Sequence, residues 1–119
     1  MEFAYSTAVP VRYRDLDPFD HVNNAVFVTY IEEARVAYAR DVLDTDLAAS
    51  SVVVASLSVD FERPVTLGDC EVTVGVRVPS LGESSLPMEY ELRAGDAVAA
   101  TAETTMVAVT DQKRPRPLP

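Results

Sequence analysis

Residues 24–43 read NAVFVTYIEEARVAYARDVL, and the spacing inside this stretch decides the fold. Phe27, Ile31, Ala34, Tyr38 and Val42 recur at steps of three and four, while Glu32, Glu33, Arg35, Arg40 and Asp41 take the remaining arc, the period of an amphipathic helix. Val26, Val28, Tyr30, Val36, Ala37 and Ala39 widen the apolar stripe well beyond that of a surface helix. The spacing predicts one long helix from Asn24 to about Leu43, wrapped by other structure on several sides.

Outward from the helix the period drops to two. Ahead of it, Phe3, Tyr5, Thr7, Val9, Val11 and Tyr13 alternate with polar positions and predict a strand with one dry face. Pro10 lacks an amide hydrogen, which suits an edge or a bulge. Behind the polar connection 44–51, Ala55, Leu57, Val59 and Phe61 alternate with Ser56, Ser58, Asp60 and Glu62, and Arg63-Pro64 ends the run. Val72, Val74, Val76 and Val78 predict a third strand, and Leu86, Met88, Tyr90 and Leu92 a fourth. Gly95-Asp96 is a hairpin turn into a final run from Ala97 to Val109. Connections between the late strands are too short for parallel crossovers, so these strands must be antiparallel neighbours. The expected class is α+β, one five-stranded antiparallel sheet curled around one long central helix.

The chain is a single expected domain over 1–111, followed by an aperiodic Pro/Arg-containing tail at 112–119. At 119 residues it buries roughly two-thirds of the surface its unfolded form exposes, enough for one core. With 19 acidic against 10 basic residues, the net charge of −9 repels nucleic acid and anionic membrane surfaces alike. Nine of the ten basic residues are Arg, a skew shared by proteins adapted to a salt-rich cytoplasm and by merely acidic soluble ones. One Cys forms no internal disulfide, and neither a charged start followed by an apolar run nor a stretch of ~18–20 apolar residues is present. A cytoplasmic location is expected.

The chemistry is concentrated in residues 14–24, RDLDPFDHVNN, which hold Asp15, Asp17, Asp20 and the only imidazole, His21. Asp20, Asn23 and Asn24 are also ordinary helix-capping residues, and Pro18 an ordinary turn residue. A zinc site built from His and Cys normally takes three or four such ligands, and this chain has one of each. No G-x-S-x-G elbow is present. A Cys70–His21 thiolate pair is formally open, but Cys70 opens a predicted strand, where it reads as a small buried filler.

The string DLDPFDHVNNAVFVTYIEEAR at 15–35, the later VDFERPVTLGD at 59–69 and the closing TTMVAVT at 104–110 together resemble the hotdog-fold acyl-CoA thioesterases. The likeness is to the 4-hydroxybenzoyl-CoA thioesterase group and to the related acyl-carrier-protein thioesterases. It implies a hotdog fold and hydrolysis of an acyl-CoA thioester, with coenzyme A as part of the substrate and no further cofactor or metal. It implies a homodimer or homotetramer with the thioester entering at a subunit boundary. On the residues, it implies that Asp17 is the catalytic carboxylate, as nucleophile or as base for water. It also implies that a backbone N–H at the helix start holds the thioester oxygen, at Asn24 or at Asn23. A helix N-terminus has unpaired donors and partial positive charge where an oxyanion would develop, which gives this position independent physical sense.

The sequence departs from the acyl-carrier-protein group two residues after Asp17, where those enzymes have Asn and this chain has Phe19. His21, two further on, either assists Asp17 or caps and packs. Phe19 and Arg63 are expected at the substrate, and Arg63, Arg77 and Arg93 are the candidate partners of coenzyme A phosphates. Glu32 and Glu33 lie two turns into the helix, and one of them either points at the ligand or sits on a solvated, Arg-paired face with Arg35. Two rival functions stay open: a hotdog enoyl-CoA hydratase, and a non-catalytic dimer that binds acyl thioesters.

Overall fold

The computed structural model describes residues 3, 5–42, 52–80, 82 and 84–108. Strand β1 (Tyr5–Pro10) leads through a short 3-10 turn (Tyr13–Asp15) into helix α1 (Asn24–Asp41). Four strands follow: β2 (Val52–Phe61), β3 (Glu71–Arg77), β4 (Ser85–Ala94) and β5 (Ala97–Ala108). They form one antiparallel sheet in the order β1-β3-β4-β5-β2. This is the expected α+β architecture, a five-stranded sheet around one helix in the hotdog arrangement. Leu43, the connection 44–51 and the tail 112–119 lie outside the described residues.

Register explains which side chains meet the helix. Val72 and Val74 stand opposite Val9 and Thr7, Val74 and Val76 opposite Leu92 and Tyr90, and Leu92 and Tyr90 opposite Ala100 and Ala102. All of these but Thr7 belong to the core, and they close on Phe27, Tyr30, Ile31, Ala34 and Tyr38 of α1. Each large apolar side chain so buried is worth about 1.5–3 kcal/mol over an exposed one. The polar atoms caught in this core are satisfied: Tyr90 OH and Thr104 Oγ1 lie 2.8 Å apart. Gly95, at φ 64, turns β4 into β5 as the Gly-Asp pair predicts. Pro10 ends β1 on a sheet edge, where its missing donor costs no ladder bond. No described helix is long and apolar enough to cross a membrane.

Four expectations need correction. Strand β1 stops at Pro10, and Tyr13 turns out to solvent because the chain winds into the 3-10 turn there. Val36 is 51% exposed, so the helix is open on that side in a single chain. Helix α1 packs over β1 and β3, at the far side of the sheet from β2. The expected dry face of β2 is therefore only partly covered: Leu57 and Phe61 are exposed, and Val59 is half-buried against the core. A bulge between Val54 and Ser56 removes Ala55 from that row and brings Val54 opposite Met106. Cys70 is exposed with φ 67, just ahead of β3, because the 3-10 turn at Leu67–Asp69 ends on it.

Candidate active site

The segment between β1 and α1 is wired to itself. An antiparallel bridge joins Leu16 to Val22, with Asp17 N–H donating to His21 O at 2.7 Å and Asp20 N–H to Asp17 O at 3.0 Å. Inside this loop Asp17 Oδ1 accepts from the amides of Phe19 (2.9 Å) and His21 (3.2 Å). Pro18 fixes one φ, and Asp20 takes φ 63, a left-handed conformation that Asp tolerates better than most residues. The two amides fix the Asp17 carboxylate, and its Oδ2 has no hydrogen-bond partner among the described residues. Asp17 is half-buried.

Two residues earlier the environment is opposite. Asp15 is 6% exposed, and its Oδ2 accepts from Tyr30 OH (2.7 Å), Arg12 N–H (2.9 Å) and Arg12 Nε (3.3 Å). Burial pushes this carboxyl up, but the Tyr30 hydroxyl and the Arg12 amide and guanidinium outweigh it and hold it below the usual carboxylate range. The same burial, reinforced by the Asp15 charge, pushes the Tyr30 hydroxyl well above the usual phenol value. Asp15 is thus the pin that ties the loop to the middle of α1. Nothing local in the sequence marks Tyr30 as its partner, since the two stand fifteen residues apart.

At the head of α1 the donors are sorted by Asn23. Its side chain accepts from Ala25 N–H at 2.8 Å, its carbonyl accepts from Val26 N–H at 2.8 Å, and its own N–H is spent on Asp15 O at 2.9 Å. Asn24 N–H is left with no acceptor among the described residues. Of the two candidate donors it is Asn24, not Asn23, whose amide is unengaged, and Asn23 is the helix cap.

Asp17, His21, Asn24, Phe27, Phe61 and Arg63 line one open cleft of about 270 Å³. Phe27 and Phe61 stack with ring centroids 5.3 Å apart and give the cleft its apolar wall. Arg63 is exposed, and its guanidinium has no carboxylate partner among the described residues. His21 is exposed at the rim. Phe61, from the end of β2, was readable only as a strand residue, because nothing in its neighbourhood says which end of the helix it meets.

Other candidates lie elsewhere. Phe19 is not on this cleft; it is 79% exposed in an adjoining groove that shares His21. Arg77 and Arg93 pair with Glu89 and Glu91 and do not line the cleft, so neither is an uncommitted cation. Glu33 pairs with Arg12 at 3.4 Å, and Glu32 is exposed. The expected Glu32–Arg35 pair does not form, because Arg35 turns inward and is 8% exposed. Cys70 lines neither hollow that His21 lines, and among the described residues no three His, Cys, Asp or Glu side chains are grouped to hold a metal ion.

Comparison with known proteins bears on the fold and the family. Over 98% of its length the chain is 46% identical to a solved thioesterase from Thermus thermophilus, complexed with coenzyme A and Zn, matching 87% of that chain with a TM-score of 0.87. The PA2801 protein of Pseudomonas aeruginosa is 30% identical over 99% of this chain and 94% of that one, with a TM-score of 0.87. The uncharacterized protein YsmA of Bacillus subtilis is 32% identical over 89 residues, 74% of this chain, and the match spans only 60% of that protein's length. A family model described as the thioesterase-like superfamily matches residues 11–119. With residues 11–119 matched and nearly the whole length covered by the Thermus structure, the chain belongs to the thioesterase-like superfamily.

Proposed function

We propose that the protein hydrolyses an acyl-CoA thioester to the free acid and coenzyme A. The observation that carries this reading is one shared cleft in which the Asp17 carboxylate, with one oxygen uncommitted, meets the unengaged Asn24 N–H at the head of α1. The acyl group lies against Phe27 and Phe61, and the carbonyl oxygen points at Asn24 N–H. As the carbonyl carbon becomes tetrahedral, the growing negative charge on oxygen is held by that amide and by the positive end of the helix.

Asp17 Oδ2 either takes a proton from the attacking water or attacks the carbon itself to give an anhydride that water then opens. Both routes break the C–S bond and release the thiol. The two amide bonds to Oδ1 keep the carboxylate aimed without a second charged residue. His21, sharing the loop, assists at the rim, and Arg63 meets an anionic part of the substrate. The coenzyme A named with the Thermus protein supports the substrate class.

The working form is a homo-oligomer. Strand β2 is a sheet edge whose Val53, Val54, Leu57 and Phe61 stay exposed in one chain, a surface that a second copy would cover. The direct test is thiol release from short, long and aromatic acyl-CoAs, with crotonyl-CoA hydration assayed in parallel. Thiol release that is lost in Asp17→Asn supports the reading. Hydration without thiol release, or binding without either, contradicts it.

A further inference from the structure

Beside the cleft lies a second groove of about 360 Å³, within the ~300–1,000 Å³ range of small-molecule sites, and His21 is its shared wall. Three of its side chains are apolar and open to water: Tyr13 at 81%, Phe19 at 79% and Leu67 at 43% exposure. They come from three different segments, the 3-10 turn, the Asp17 loop and the turn ahead of β3. Asp20 also lines the groove.

The distribution of cations gives the groove its direction. Among the described residues, Arg12, Arg40, Arg77 and Arg93 are tied to carboxylates, and Arg35 is buried. That leaves Arg14 and Arg63 as the exposed guanidiniums with no carboxylate partner among those residues. On a chain of net charge −9, both stand at this end of the molecule: Arg63 in the cleft, Arg14 next to Tyr13 in the same turn. A ligand that starts in the cleft and continues past His21 therefore meets Arg63, then the side chains of Tyr13, Phe19 and Asp20, with Arg14 in the turn that carries Tyr13.

We propose that this groove binds the phosphoadenosine end of a coenzyme A thioester. The adenine stacks on Tyr13 and Phe19, its amino group donates to Asp20, and Arg14 meets the ribose phosphate. Asp20 sets the polarity, since its carboxylate would repel a phosphate laid on the rings but accepts from an amino-bearing base. The inference rests on the acyl-CoA reading above and adds where the nucleotide goes.

The experiment compares the fastest acyl group as its coenzyme A and its pantetheine thioester. In the double variant Tyr13→Ala, Phe19→Ala, the ratio of kcat/KM for the two substrates is expected to fall at least tenfold. Tyr13→Phe, which keeps the ring, should restore the Tyr13 share, and Arg14→Gln should lower the preference for acyl-CoA over acyl-dephospho-CoA severalfold. A thermal melt checks folding, which substitutions at exposed rings should leave intact. An unchanged ratio, or equal losses on both substrates, overturns the proposal. So does a variant whose sedimentation shifts toward monomer with the ratio intact, because a second copy then covers the rings. Adenosine 3′,5′-bisphosphate titrated onto the unmodified full chain reads the groove without catalysis. Binding that the double variant abolishes supports the groove even if no acyl-CoA is hydrolysed, which would sink the functional reading alone.

Discussion

Two aspartates separated by one residue are held differently because their surroundings differ. Asp15 is buried and saturated by Tyr30 and Arg12, whereas Asp17 is half-buried with one oxygen uncommitted. Tyr30→Phe leaves the buried carboxylate short of a donor and should cost about 1.5–3 kcal/mol at neutral pH, read as a lower urea midpoint. The pair also shapes the pH profile of stability. Asp15 is held below its unfolded value, so the unfolded chain binds its proton more readily; this contribution is whole above the ordinary carboxylate range and disappears as pH falls through the lower native value. Tyr30 is raised, so its contribution is whole below the ordinary phenol value of about 10 and disappears as pH rises beyond it. Urea midpoints across this range should fall at both ends, and Tyr30→Phe should remove the alkaline loss. At Asp20 the left-handed φ of 63 makes a second prediction. Asp20→Val should cost about 1–2 kcal/mol and Asp20→Gly almost nothing, compared as urea midpoints.

At the scale of elements, the head of α1 matters most. Asn23→Ala removes the acceptor for Ala25 N–H and should destabilise by about 1 kcal/mol in thermal or urea unfolding. It should also lower turnover, since a second unengaged amide then competes with Asn24 for the carbonyl oxygen. The helix, the buried rows of β3 and β4 and the Gly95 turn were legible in the sequence because each is fixed by a local period or a local φ. What escaped was set from a distance. Tyr13, Phe61 and Cys70 follow the alternation of their neighbours, yet their burial depends on where the chain turns and on which strands the helix covers. Arg35 carries a charge on an otherwise polar arc, and only the packing of α1 against the sheet shows that it faces inward.

For the whole molecule, the exposed apolar row on β2 is a feature that one chain leaves unexplained. Equilibrium sedimentation should give at least twice the 13.0 kDa of one chain, and Leu57→Arg should shift it toward monomer. A wild-type protein that sediments as a single chain would contradict the oligomer. The net charge of −9 makes self-repulsion a cost that salt screens, so the melting temperature should rise with ionic strength until the Debye length falls to ~3 Å near 1 M. The account as a whole depends on Asp17 acting beside the amide of Asn24, and one assay tests it most directly: thiol release from acyl-CoA by the parent and by Asp17→Asn, each verified as folded and equally assembled. A loss of kcat of at least ~10²-fold is the predicted result. A variant that hydrolyses the thioester at near the parental rate would contradict the account.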